Sequence, residues 1–204
     1  MLFTLEFHKP HLVLYLQMSK KFYTADWHLS SQLVNTVYGR PFSNVLEMNA
    51  ALVSNCNSVA TSEDIVMHLG DFLIYGNDGG YPGLKISPSV FLEQINATFV
   101  NIEGNHDPSN KTKSIGWFME THLGSVFGDV SIAHWPSYNQ KIRDLVKPGW
   151  IHLCGHVHDK WKHYIDKERQ VLNINVGVDV WDYKPVSETE LISYVKNLMT
   201  QKTS

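Results

Sequence analysis

Short apolar runs alternate with polar punctuation along the chain. Six of them, rich in aromatic or β-branched residues, have the length and composition of buried strands: Phe22 to Thr24, Asp64 to Leu69, Thr98 to Ile102, Val130 to Ala133, Trp150 to Leu153 and Val171 to Val176. Between the first two, Val45, Met48, Leu52, Cys56 and Val59 recur at helical spacing behind Ser43 and Asn44, either of which can accept from the first free amides of a helix. A second helix is predicted over Ser89 to Ala97, after Pro88. Ser187-Glu188-Thr189-Glu190 is a capping-box pattern ahead of Leu191, Ile192, Val195 and Leu198, which predicts a C-terminal helix. This order predicts an α/β chain, layered so that helices cover its sheets. Strand count alone does not separate a sandwich from a doubly wound sheet.

The totals narrow the setting. A chain of 204 residues, 43% hydrophobic and 18% charged, suits one buried core. Residues 1–17 are apolar only in patches, because Glu6, Lys9 and Pro10 interrupt them, and they make a poor signal peptide. Met18 then leads into the first strand. The expected organisation is an N-terminal extension over 1–17, either dispensable or an added edge strand, and a single domain over 18–204. A net charge of -3 gives no chain-wide basic field, so no basic patch for nucleic acid is evident, although a nucleic acid remains open as a substrate. Cys56 and Cys154 form neither a CxxC pair nor a disulfide framework, which points to the cytoplasm. No apolar run approaches the roughly 20 residues of a membrane-spanning helix.

Candidate chemistry collects where the strands end. The first runs into Asp26-Trp27-His28, the second into Gly70-Asp71, the third into Gly104-Asn105-His106-Asp107, the fourth into His134 and the fifth into Gly155-His156-Val157-His158. Singly, these are turns as readily as ligands, since Gly, Asn and Asp are turn residues for backbone reasons. Alternation in an extended chain puts residues i and i+2 on one side, so Asp26 with His28, and His156 with His158, can each converge. Carboxylates, an amide oxygen and imidazoles together suit Mn, Fe, Ni or Zn better than calcium. His68, three residues before Asp71, reads as a packed core histidine on the opposite face, and Cys154 as a buried thiol. Arg40 either contacts a substrate phosphate through its planar fork or anchors its loop.

With these five blocks in this order, and with R-P-F-S-N-V-L-E-M-N, D-I-V-M-H-L-G-D and N-V-G-V-D-V-W-D-Y-K-P-V-S around them, the chain from Phe22 onward resembles the calcineurin-like metallophosphoesterase superfamily, in a compact bacterial or phage-type branch. The resemblance implies a β-sandwich flanked by helices and two divalent metal ions, Mn first among them. Asp26, His28 and His158 would hold one ion, Asn105, His134 and His156 the other, and Asp71 would bridge both. A water or hydroxide shared by the metals would attack phosphorus in line. His106 would protonate the departing oxygen, with Asp107 orienting its imidazole, and Gly104 would permit the turn that aims this loop. Gly70-Asp71 is followed by Phe72-Leu73-Ile74-Tyr75 rather than the family's protein-phosphatase pattern, and there is no room for a large capping domain. The expected substrate is therefore a small phosphate ester, a phosphodiester or nucleotide ahead of a phosphomonoester. The rival expectation is a non-catalytic metal-binding interaction module on the same fold.

Overall fold

Alternation along the first strand separates two cores. In the computed structural model, which describes residues 19–74, 86–107 and 114–201, strand β1 (Lys21–Thr24) sends Phe22 into one buried layer and Tyr23 into another. Strands β2 (Ile65–Leu69) and β3 (Thr98–Ile102) continue this sheet in parallel, with Phe22 beside Val66 and Val66 beside Phe99. A second sheet takes its strands from β4 (Phe118–His122), β5 (Asp129–Ala133), β6 (Ile151–Cys154), β7 (His163–Asp166) and β8 (Val171–Asn175), in the spatial order β4-β5-β6-β8-β7. Its three central strands are parallel and its two edges antiparallel. The two-residue β9 (Val186–Ser187) returns to the first sheet beside β1, which gives the order β3-β2-β1-β9.

Tyr23, Leu69 and Ile102 of the first sheet share one buried layer with Val130, Ile132, Leu153 and Ile174 of the second. Two sheets face each other across it. The fold is therefore a mixed α/β sandwich, which removes the doubly wound alternative that the strand count allowed.

Helices cover the outer surfaces. Short α1 (Gln32–Val37) precedes α2 (Val45–Val59), whose Val45, Met48, Leu52, Val53 and Cys56 pack on the Phe22 and Val66 face together with Phe91 of α3 (Pro88–Leu92). The start of α2 is held as its sequence implies, with Asn44 Oδ1 accepting from the amides of Leu46 and Glu47, both at 3.0 Å. One-turn α4 (Gly124–Phe127) leads to β5, and α5 (Glu188–Gln201) buries Leu191 and Val195 beside Tyr23. The capping box forms: the Ser187 amide donates to Glu190 Oε2 at 2.9 Å, and the Glu190 amide to Ser187 Oγ at 3.2 Å.

Two expectations change. The helix predicted to Ala97 ends at Leu92, because Asn57 of α2 takes the backbone beyond it: its Oδ1 accepts from the Asn96 amide (2.9 Å) and its Nδ2 donates to the Gln94 carbonyl (2.7 Å). Strands β4, β7 and β9 were not expected from the sequence pattern. The N-terminal extension lies outside the described residues. Among those that are described, no helix is long and apolar enough to cross a membrane.

Candidate metal centre

The parallel strands of both sheets point their carboxyl ends to one edge of the sandwich, and backbone hydrogen bonds stitch that edge together. The Asp26 amide donates to the Gly70 carbonyl (3.0 Å), the Gly155 amide to the His134 carbonyl (3.0 Å) and the Val178 amide to the Ala25 carbonyl (3.1 Å). These bonds bring the five blocks to one locus. Asp26, His28, Asp71, His134 and His158 are all buried there, with His156 half-buried and Asn105 and His106 exposed.

Convergence is achieved by a backbone that the sequence pattern did not imply. Asp26, His28, Asp71, His156 and His158 all have positive φ, between 48° and 71°. They occupy the left-handed region rather than an extended strand, a conformation that costs a non-glycine residue about 1–2 kcal/mol. Each of the i, i+2 pairs is thus aimed by two left-handed turns in succession, and His156 and His158 end among different neighbours.

Two groups of side chains are close enough to share a cation: Asp26, His28 and His158 form one, and Asp26, Asp71 and His134 the other. Asp71 Oδ2 lies 3.4 Å from His28 Nε2 and 3.2 Å from His134 Nε2, so it reaches both. Asn105 Oδ1 is 2.9 Å from His134 Nε2 and 2.9 Å from His156 Nδ1, and these two ring nitrogens are 3.2 Å apart.

Tautomers follow from the partners. His134 Nδ1 lies 2.9 Å from the Leu69 carbonyl, which can only accept, so Nδ1 carries a proton. Against burial, Asp71 and Asp26 raise this ring to about 9 in the ion-free site, and its Nε2, facing Asp71, Asn105 and His156, would give up its own proton to a bound cation. His158 Nδ1 donates to Asp179 Oδ2 at 3.0 Å, which leaves its Nε2 free. Both ring nitrogens of buried His28 lack a hydrogen-bond partner. Lone pairs and carboxylate oxygens facing one another, with a buried imidazole unpaired among them, fit divalent cations of the borderline class.

Burial and charge set the protonation of the ion-free site. Burial lowers the pKa of His28 well below normal and, helped by the charge of His134, brings His156 down to about 4, which keeps both rings neutral and able to ligate. Burial raises Asp26 to about 6 despite His158 and His134. Asp71 is also opposed by burial but ends below the usual carboxylate range, because His134 and His28 face it and the His106 amide donates to its Oδ1 at 2.8 Å.

Glycines make the close approaches. A Cβ on Gly104 would sit 2.2 Å from Asp71 Oδ1 and 2.3 Å from the Asp71 amide nitrogen. It permits the expected turn by leaving room for that carboxylate, with no positive φ of its own. Cβ atoms at Gly155 and Gly177 would lie 2.6 and 2.8 Å from Asp26 Oδ2.

The structure corrects two assignments. Arg40, offered as a substrate ligand, is buried with its donors consumed: Nε and Nη2 go to Asp179 Oδ1 and Oδ2 at 2.8 and 3.0 Å, Nη2 also to the Asp26 carbonyl at 2.7 Å, and Nη1 to the Trp27 carbonyl at 3.0 Å and Met48 Sδ at 3.5 Å. It anchors the first block from behind. Asp107, expected to orient His106, instead accepts three backbone amides: Asp71 and Gly104 on Oδ2, and Phe72 on Oδ1, each at 2.9 Å. It ties the second block to the third. His106 itself packs edge-on to His28, with ring centroids 5.3 Å apart.

His68 bonds Asn101 Oδ1 at 2.9 Å among Trp27, Phe72 and Phe99, and burial drives its pKa down to about 3, so it is the neutral core residue expected. Cys154 is a buried free thiol. Two positioning residues escaped the sequence reading. Asp179 joins Arg40 to His158. Asn175 clamps the fifth block through Nδ2 to the His158 and Trp161 carbonyls, at 2.7 and 2.9 Å. Both lie in the N-V-G-V-D segment, which begins at the last residue of β8.

No protein-family model matches the chain. An uncharacterized protein of Methanocaldococcus jannaschii is 31% identical over 185 residues, covering 89% of this chain and 94% of that protein. A protein of unknown function from Aquifex aeolicus has the same fold, at a TM-score of 0.62 and 17% identity over 86% of this chain and 99% of its own. Yfce, a phosphoesterase from E. coli, overlaps more loosely, at a TM-score of 0.40 and 17% identity over 76% of this chain and 78% of its own. At this identity and coverage the chain belongs to one family with the M. jannaschii protein, and its five blocks meet on a two-sheet sandwich whose fold the A. aeolicus protein shares.

Proposed function

We propose that this protein is a metal-dependent phosphoric ester hydrolase that uses two divalent ions, Mn first among them, on small phosphodiesters or nucleotides, with phosphomonoesters second. One observation carries the reading: Asp71 Oδ2 lies within 3.4 Å of ring nitrogens from both halves of the site, His28 on one side and His134 on the other. A carboxylate so placed offsets the repulsion between adjacent cations. Asp26, His28 and His158 would hold one ion, and Asn105, His134 and His156 the other, with Asp71 common to both.

Bound ions would supply Lewis acidity toward the phosphoryl oxygens and acidify a water for attack on phosphorus. The chain's own groups do the rest. Asp179 and the Leu69 carbonyl fix the tautomers of His158 and His134, so that a lone pair on each faces inward. His106 stands exposed beside His28, where its imidazole can hand a proton to the departing ester oxygen. Asp107 keeps His106 within reach by tying its loop to the Asp71 amide.

The test is metal content by elemental analysis, together with hydrolysis of cyclic nucleotides, linear diesters and monoesters by metal-stripped protein to which Mn is returned. Hydrolysis that appears only with Mn, and fastest on diesters, is the expected result. Bound metal without hydrolysis of any ester would favour the non-catalytic module instead.

A further inference from the structure

Beside His106 and His158 the surface opens into a cleft whose other walls, apart from Ser31, are apolar: Leu33, Val34 and Val37 of α1, Tyr38 just after it, and Ile74 beyond β2. Leu33 and Val37 stand one helical turn apart and are 54% and 59% exposed, although they border a site otherwise lined with polar groups. Tyr38 is stacked on the His158 ring, with centroids 3.8 Å apart and planes 7° apart, so the apolar wall is continuous with the metal centre. Scattered exposed apolar residues need no explanation. Two that stand beside the exposed imidazole of a hydrolytic site, on a wall continued by half-buried Tyr38 and buried Val34 and Ile74, do.

From this we infer that the cleft receives the organic group on the leaving side of the ester, and that this group is uncharged and apolar or aromatic. The inference rests on the hydrolase reading, and deepens it by assigning the substrate class. If His106 protonates the departing oxygen, whatever that oxygen carries must lie on the His106 side of the phosphorus, and there the chain offers Leu33, Val37 and Ile74. The described lining holds no Lys or Arg, and the donors of Arg40 are consumed elsewhere. A second phosphate would find no cation there among the described residues. The cleft encloses about 120 Å³. That is the scale of one ring, since a cavity of about 150 Å³ accommodates benzene.

The test compares two phosphonates that differ only in their organic group. Binding of phenylphosphonate and methylphosphonate to the Mn-loaded full chain is measured by calorimetry, for the natural sequence and for Leu33→Asp, Val37→Asp and the milder Leu33→Ala. The natural protein is expected to hold phenylphosphonate roughly tenfold more tightly, as half-burial of one ring implies. Either aspartate should erase most of that preference while leaving methylphosphonate affinity unchanged, and Leu33→Ala should reduce it. Equal affinity of the natural protein for the two ligands, or variants that weaken both alike, would overturn the assignment. If neither phosphonate binds the metal-loaded protein, the hydrolase reading itself falls, and the assignment with it.

Discussion

Arg40 and Asp179, 139 residues apart in sequence, meet in a two-pronged ion pair behind the metal centre, Nε to Oδ1 at 2.8 Å and Nη2 to Oδ2 at 3.0 Å. The same carboxylate accepts from His158 Nδ1. A buried cation that pins the first block and a carboxylate that aligns the fifth are thus one unit.

Removing one partner should expose the cost of the other. Arg40→Ala leaves Asp179 buried with only His158 to face, and should lower unfolding free energy by about 3–5 kcal/mol, as a broken buried pair does. Substrate KM for the fraction that folds should be little changed, because the guanidinium has no free donor to offer. Urea unfolding beside steady-state kinetics checks both, and a raised KM without loss of stability would restore the substrate-binding role.

Asp179→Asn keeps the shape but can present an amide N–H to His158. The imidazole then loses the partner that fixes its tautomer, and metal affinity should fall roughly 10- to 100-fold. Titration of stripped protein with Mn reads this directly. Unchanged affinity would mean that Asp179 matters only to Arg40.

Asp71→Ala should depress both metal occupancies, whereas His28→Ala should depress mainly one, since the Asp71 carboxylate lies against ring nitrogens of both halves. Elemental analysis of dialysed protein separates the cases. Full occupancy in the Asp71 variant would defeat the shared-ligand assignment.

Gly104→Ala should behave like a ligand mutation although it removes no ligand. The added methyl would lie 2.2 Å from Asp71 Oδ1 and against backbone, which cannot swing away as a flexible side chain could. Loss of metal with a modest drop in stability, about 1–3 kcal/mol, is expected. Metal retention would show that the two loops can part without harm.

His106→Ala should retain both metals yet slow esters with an alkoxide leaving group by roughly 100-fold or more, and activated aryl esters much less, because a weakly basic leaving group gains little from a proton. Equal losses on the two esters would remove the acid role.

Much of this was legible because the parallel strands are short apolar runs that stop abruptly at polar residues. Thr98 to Ile102, followed by Gly104 and Asn105, announces both a strand and what it carries. The edge strands were not, since β4 reads Phe-Met-Glu-Thr-His with no buried residue, and pairing rather than composition makes it a strand. At the site, residue types revealed the cluster, but neither the left-handed backbones nor Asp179 could be read locally. The first depend on both sheets meeting at one edge, and the second on an arginine 139 positions away. Of the two roles open to Arg40 the anchor is the one the fold uses, its partner lying in a distant segment, whereas the role read for Asp107 failed because it was assigned to the neighbouring His106 while folding gave the carboxylate to backbone amides.

The five left-handed backbones also bear on how such a chain would drift under selection. At Asp26, His28, Asp71, His156 and His158, glycine would relieve strain that the native side chains must endure, about 1–2 kcal/mol at each before the greater chain entropy of glycine is counted. Durability and chemistry therefore pull these positions in opposite directions. A population screened for heat resistance alone should discard its reactive side chains early, whereas one screened for turnover should keep them and accumulate its stabilising changes elsewhere, on the outer faces of α2 and α5.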